Sequence, residues 1–223
     1  MGGRLIVFEG VEGAGKSTQL ARLAARLGRA GVSARAYREP GGTPAGDRIR
    51  EVLLDPARSL DPRTEALLFM ASRAELIATE VRPVLVAGAI VLLDRFFLST
   101  YAYQVGGRGL AEAEVTAANR VATGGLAPDL TVLLVIPAAA GMARAAGRGP
   151  ADRMERLGEQ FHQRVEGAFA RFVTQEWQST HPEAGRIAAV DAGGTAEDVE
   201  RRVLTAVGAH LPDVTARLET VVA

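Results

Sequence analysis

Short apolar runs alternate along this chain with longer stretches whose apolar residues recur every three or four positions. Residues 4–8 are apolar and β-branched and predict a buried strand. Leu20, Leu23 and Leu27 then mark a helical stripe over residues 19–27. The same alternation predicts strands at 33–38, 90–93, 130–136 and 186–190. Helices are expected over 64–87, with Pro83 kinking or breaking the first, over 112–123, through 146, over 157–178 and over 197–209. There are no internal repeats and no low-complexity segment. Strands separated by helices imply an α/β protein: a five-stranded parallel sheet covered by helices on both faces in three layers. Ligands of such sheets sit beyond the strand C-termini, so the residues that follow each strand carry the most information.

Composition narrows the classes. At 223 residues the chain is expected to form a single domain, 1–223, with the tail over 212–223 left open between an ordered and a frayed end. Twenty-six basic residues balance 26 acidic ones, which gives no footprint for a nucleic-acid polymer. The absence of cysteine excludes a disulfide framework and a thiolate metal site. His162, His181 and His210 fit no zinc spacing and are expected at the surface. The apolar run over 83–93 is too short to span a bilayer. The first strand begins within four residues, and Ile6 stands where a myristoylation signal wants Ser or Thr, so a cytoplasmic protein without membrane contact is expected.

The sharpest chemical signal is Gly10-Val11-Glu12-Gly13-Ala14-Gly15-Lys16-Ser17, which fits the phosphate-binding loop G-x-x-x-x-G-K-[ST]. It lies between a predicted strand and a predicted helix. Glycines let the backbone approach phosphates, and the helix N-terminus adds partial positive charge. Lys16, the only lysine in the chain, is expected to reach the β- and γ-phosphates and Ser17 to ligate Mg²⁺; Thr18 either contacts the α-phosphate or helps start the helix. After the third strand, Asp94 is the expected carboxylate for organising Mg²⁺, and Arg95 is placed to clamp a second phosphate. Phe69 and Arg73, four apart on one helix face, and the hydroxyls, rings and amide of 98–104 suit a planar, hydrogen-bonding ligand.

These segments together, with Arg38-Glu39-Pro40-Gly41-Gly42-Thr43, Leu68 to Arg73, Asp94-Arg95, Ala102-Tyr103-Gln104, Pro128 to Thr131 and Asp152-Arg153, resemble the bacterial thymidylate kinases over nearly the whole length. The resemblance implies a phosphate-loop kinase fold and the reaction ATP + dTMP → ADP + dTDP with Mg²⁺. It implies that Glu12 holds the deoxyribose 3′-hydroxyl and that Glu39 helps organise the nucleotide and magnesium region. Arg50 and Arg95 grip the dTMP phosphate. Phe69 stacks on thymine, Arg73 bonds its 4-oxo edge, Thr100 and Gln104 contact the base, and Tyr103 packs near C2′. It also implies a homodimer, and a short arginine-rich lid over about 143–156 whose Arg144, Arg148 and Arg153 supply charge to the transition state. The loop positions 11–14 contain no arginine, as in the bacterial subclass whose lid carries them.

Phe96 and Phe97, and the acid-free end of the fourth strand at Val135-Ile136, depart from the family pattern. Other kinases of the same fold are disfavoured by the Arg-Glu-Pro-Gly-Gly and Ala-Tyr-Gln segments. A GTP-dependent switch is disfavoured because no Asn-Lys-x-Asp segment exists: the only asparagine, Asn119, precedes Arg120. A catalytically silent homologue is disfavoured by the intact Lys16, Ser17 and Asp94.

Overall fold

The computed structural model describes residues 2–145 and 152–219. Strands β1 (Arg4–Glu9), β2 (Ala34–Arg38), β3 (Ile90–Asp94), β4 (Leu130–Val135) and β5 (Ile187–Asp191) form one parallel sheet in the order β2-β3-β1-β4-β5. β1 is central, paired from Arg4↔Ile90 to Phe8↔Asp94 on one side and from Ile6↔Leu130 to Glu9↔Leu133 on the other. Alternate residues serve opposite cores. Leu5, Val7, Val91, Leu93 and Leu133 face one layer; Ile6, Phe8, Ile90, Leu92 and Leu134 face the other. Burial on both faces is why these strands read as unbroken apolar runs.

One face is covered by α1 (Lys16–Arg29), which buries Leu23 and Leu27, and by α10 (Ala196–His210), which buries Val199, Val203 and Val207. α10 opens with a reciprocal cap between Thr195 and Asp198. Between β2 and β3 lie α2 (Pro44–Leu54) and α3 (Pro62–Leu76), both begun by a side-chain cap: Thr43 accepts from Gly46 N at 2.9 Å and Asp61 accepts from Arg63 N at 2.9 Å. α3 runs on through a π-helical turn, Ile77–Val81, into α4 (Arg82–Val86). The proline at 83 lacks an N–H, and the wider turn lies immediately before it. The expected break at Pro83 is therefore a change of helical register within a continuing helix.

After β3 come α5 (Phe97–Thr100) and a second π-helical segment, Tyr101–Gly107, then α6 (Glu112–Thr123). α7 (Ala138–Ala145) follows β4. The single helix expected over 157–178 is two: α8 (Glu159–Phe172) and α9 (Gln175–Thr180), separated where Thr174 caps the second by accepting from Trp177 N at 3.3 Å. His181 is buried rather than at the surface. Its ring stacks on Trp177 at 3.9 Å and a ring nitrogen lies 3.1 Å from Glu112. The tail is ordered through α11 (Pro212–Glu219): Val214 is fully buried and Asp213 accepts from Arg4 at 3.0 Å.

Val214→Ala is expected to lower stability by about 1.5–3 kcal/mol, from two lost methyl groups plus the space they leave. Chemical denaturation measures this, and an unchanged midpoint would mean that the final helix does not dock.

Candidate active site

The loop between β1 and α1 turns on glycines at positive φ, Gly10 at 138°, Gly13 at 71° and Gly15 at 94°, a region that side chains disfavour. Gly13 has a second reason: a Cβ there would lie 1.8 Å from the Gly141 carbonyl oxygen of α7. Loop and α7 thus meet backbone to backbone. Lys16 folds back into the loop, donating to Gly10 O at 3.0 Å and Val11 O at 2.9 Å, with the Glu12 carboxylate 3.7 Å away. Burial pushes its pKa down to about 8, assisted by Arg95 and opposed by Glu12 and Asp94. A bound polyphosphate would favour the ammonium. The Ser17 hydroxyl donates to Asp94, joining the start of α1 to the end of β3.

Arg95 follows β3 at φ 71°, a costly conformation for a residue with a side chain. The carboxylate that holds this turn is Glu9, fully buried at the end of β1. It accepts from Phe96 N at 2.7 Å, Ser99 N at 3.0 Å and the Ser99 hydroxyl at 2.6 Å. The Arg95 guanidinium donates to Ser99 Oγ at 3.0 Å, pairs with Glu12 and lies over the Tyr103 ring at 5.2 Å. Burial pushes the Tyr103 hydroxyl up to about 12, so the ring stays neutral.

Glu12, Glu39, Arg50, Phe69, Arg73, Arg95, Thr100, Tyr103 and Gln104, all expected to bind the acceptor, line one cleft. A second space shares Glu12, Glu39, Arg50 and Arg95 with it and extends over Lys16, Ser17 and Asp94. A third continues along Gly13 to Thr18 toward Gly194, Thr195 and Arg144, whose guanidinium donates to Ala192 O at 3.0 Å. The three spaces therefore run in sequence past the phosphate loop: a cleft flanked by the Phe69 and Tyr103 rings, an arginine-lined channel, and an opening beside α10.

Arg73 is more constrained than expected for a residue that reads a base edge. Nε and one terminal nitrogen donate to Glu39 Oε2 at 2.7 and 2.6 Å. The others reach Thr100 Oγ1 at 2.9 Å, Phe96 O at 2.9 Å and Asn119 Oδ1. The guanidinium lies over the Phe96 ring at 4.9 Å. The two family departures at Phe96 and Phe97 thus pack around this cation. Burial pushes the Glu39 carboxyl up, against the pull of Arg73.

Arg153 is not at the phosphates. It is 7% exposed, donates to Leu53 O at 2.6 Å and pairs with Glu65 at 2.8 Å. The fully buried Glu65 also accepts from Arg108 at 3.1 and 2.6 Å and from Gln104 at 3.1 Å. Burial alone would raise its pKa, but the bonds from Arg108 and Arg153 outweigh it and hold Glu65 below the ordinary value. Arg148 and the centre of the expected lid lie outside the described residues.

Sequence reading assigned no role to Glu9, Glu65 or Asn119. The signals were slight: an acid closing an apolar strand, an acid among the apolar positions of a helix, and the only asparagine, in a helix interior.

Arg153→Ala should cost about 3–5 kcal/mol, the typical effect of removing one partner of a buried ion pair, whereas Arg144→Ala, exposed, should leave the thermal midpoint nearly unchanged. Because the Glu65 pKa is lowered on folding, the stability it contributes is present above the unfolded value of 4.5 and is lost as pH falls below it. Glu65→Gln should therefore flatten the acid limb of the stability profile, measured by denaturation between about pH 3 and 6.

Residues 8–202 match the family model described as Thymidylate kinase. The chain is 46% identical over 205 residues to the thymidylate kinase of Deinococcus radiodurans, covering 92% of this chain and 96% of that one. It is 51% identical over 179 residues to that of Thermomicrobium roseum, covering 78% and 84%, and 49% identical over 172 residues to that of Pseudomonas fluorescens, covering 77% and 82%. The match spans the phosphate loop, the arginine-lined channel and the acceptor cleft, and the chain belongs to the thymidylate kinase family.

Proposed function

We propose that this chain performs the dTMP phosphorylation of its family by seating dTMP in the cleft lined by Phe69, Arg73 and Gln104 and ATP along the phosphate loop. The observation that carries this reading is the continuity of the cleft with the channel over Lys16 through Arg50 and Arg95. In the proposed pose thymine stacks on Phe69. Thr100 and Gln104 contact its edge, and Tyr103 packs against C2′. Glu12 accepts from the 3′-hydroxyl. Arg73 presents positive charge to the 4-oxo oxygen; with its donors already engaged, that contact is electrostatic more than a new hydrogen bond. Arg50 and Arg95 hold the acceptor phosphate at the mouth of the channel, with Glu39 below it.

Residues 10–18 wrap the ATP phosphates, and the opening beside Arg144, Gly194 and Thr195 receives the rest of the donor. Among the described residues no cluster of three or more acidic, histidine or cysteine side chains could cage a metal. Ser17 and Asp94 offer hard oxygen donors side by side. This fits Mg²⁺, which is held by one or two protein oxygens together with phosphates and water. Ser17 and Asp94 would hold it, and it would supply charge neutralisation between the β- and γ-phosphates.

An acceptor phosphate oxygen attacks the γ-phosphorus as the bond to the β-bridging oxygen breaks, giving dTDP and ADP. The attacking oxygen is already anionic near neutral pH and needs no strong base. Positioning and charge stabilisation remain. Lys16 and the lid residues Arg144 and Arg148 supply the latter; Arg153 anchors the segment that follows.

We also read the assembly as a homodimer, as the family resemblance implies, and the location as cytoplasmic. Leu67, 63% exposed, with Ala71 on α3 and Ala78 in the π-helical turn that follows, and Ala113, Ala117 and Val121, 84% exposed, on α6, form small apolar stripes suited to a second copy. No helix among the described residues is long and apolar enough to cross a membrane.

ADP release with ATP and Mg²⁺ should be fast with dTMP, slower but detectable with dUMP and strongly reduced with dCMP, because a missing methyl costs only about 1–3 kcal/mol while a polar mismatch costs more. Arg148→Ala should lower kcat by roughly 10³-fold or more with little change in dTMP affinity; a wild-type kcat would remove the lid from the reading. Thymidine in place of dTMP should give no turnover.

A further inference from the structure

Gln104 projects from the π-helical segment into the wall of the acceptor cleft and is almost fully buried. A carboxamide has two faces of opposite character, an acceptor oxygen and a donor nitrogen, and rotation by half a turn exchanges them. What Gln104 offers a ligand therefore depends on what holds its other end. That partner is Glu65, whose Oε1 lies 3.1 Å from Gln104 Nε2. An ionised carboxylate only accepts, so the nitrogen must be the end that faces it. Glu65 is kept ionised by geometry. Arg108 donates to both of its oxygens at 3.1 and 2.6 Å, and Arg153 pairs with it at 2.8 Å. No proton is left on Glu65 that would let the amide turn over. Among the described residues no protein donor reaches the Gln104 carbonyl, which is left for the cleft.

We propose that Glu65 is a specificity-determining positioning residue: by accepting only, it locks Gln104 with its carbonyl toward the acceptor base, where that oxygen takes the N3–H of thymine and opposes the N3 lone pair of cytosine. Glu65 does not itself touch the nucleotide. The proposal rests on the reading that the base lies against Phe69 and Gln104. It separates two discriminations: thymine and uracil both carry N3–H, so Glu65 governs the choice against cytosine and not the choice between thymine and uracil.

The test is kcat/KM for dTMP, dUMP and dCMP in wild type, Glu65→Gln and Gln104→Leu. In Glu65→Gln the partner becomes an amide that can itself donate, so Gln104 can turn over and offer N–H to cytosine. The dTMP:dCMP ratio should fall by roughly tenfold or more, the scale of one buried hydrogen-bond mismatch, while the dTMP:dUMP ratio stays within about twofold, since both bases carry N3–H. If all three substrates decline together with both ratios unchanged, Glu65 is merely structural and the proposal is overturned. If Gln104→Leu leaves the dTMP:dCMP ratio intact, the placement of the base against Gln104 is wrong, a failure of the underlying reading. Should Glu65→Gln not fold, a structure of the wild-type protein with dTMP decides. N3 within hydrogen-bond distance of the Gln104 carbonyl, with the amide nitrogen still on Glu65, supports the proposal. N3 bonded elsewhere while the base sits in the cleft overturns it, and dTMP outside the cleft overturns the reading.

Discussion

The buried ion pair of Glu39 and Arg73 is the interaction around which the acceptor cleft is built. Taking two charges out of water costs several kcal/mol per ion even after relaxation, and mutual attraction alone seldom recovers it. Here the guanidinium donates to groups from separate parts of the chain: Glu39 beyond β2, Phe96 and Thr100 beyond β3, and Asn119 in α6. Each segment is fixed to the others through one planar cation. Removing any acceptor would leave buried positive charge between two phenyl rings. The cleft's rigidity thus follows from a demand for complete hydrogen bonding, which apolar packing of the same volume would not impose.

The same device recurs with different partners. Glu9 holds backbone amides and a hydroxyl at the end of β1, and so imposes the unusual conformation of Arg95. Glu65 gathers Arg108, Arg153 and Gln104. Glu12 pairs with Arg95 at the mouth of the phosphate channel. These acids keep the cations in place before an anionic ligand arrives, so little reorganisation is left for the moment of reaction. A site built to receive phosphates is lined with carboxylates for this reason, and their presence there is no contradiction.

The strands were legible because burial on both faces leaves a short unbroken apolar run, a pattern that neither a loop nor an amphipathic helix produces. The phosphate loop was legible because its glycines answer to backbone geometry. The residues proposed to bind the acceptor stood out only as an ordered set of segments; the fold then brings all nine to one cleft. Three features were not. α2 begins at Thr43-Pro44 directly after Pro40-Gly41-Gly42, and its opening reads as a turn. The π-helical segment at 101–107 is rich in rings and glycine and lacks a period of 3.6. The side on which Arg153 lies depends on Glu65, far away in sequence, so nothing local distinguishes a lid arginine from an anchor. Strand positions follow from local pattern, whereas the direction of a long cationic side chain follows from which buried acid it must satisfy.

That distinction also explains the composition. Of the 26 lysines and arginines, only Lys16 is a lysine. Arginine suits the buried networks because its fixed fork meets several acceptors at once, as Arg73 does with Glu39, Thr100, Asn119 and Phe96 and Arg108 with both oxygens of one carboxylate. The phosphate loop demands the opposite. Its cation enters a ring of backbone, sits 3.0 and 2.9 Å from two carbonyl oxygens, and must turn from them toward a ligand. A compact ammonium on a flexible stem can exchange one set of acceptors for another without moving the loop, and a planar guanidinium fixed at several points cannot. On the proposed mechanism, the one position where the chain departs from arginine is the one where the charge would change partners during the reaction.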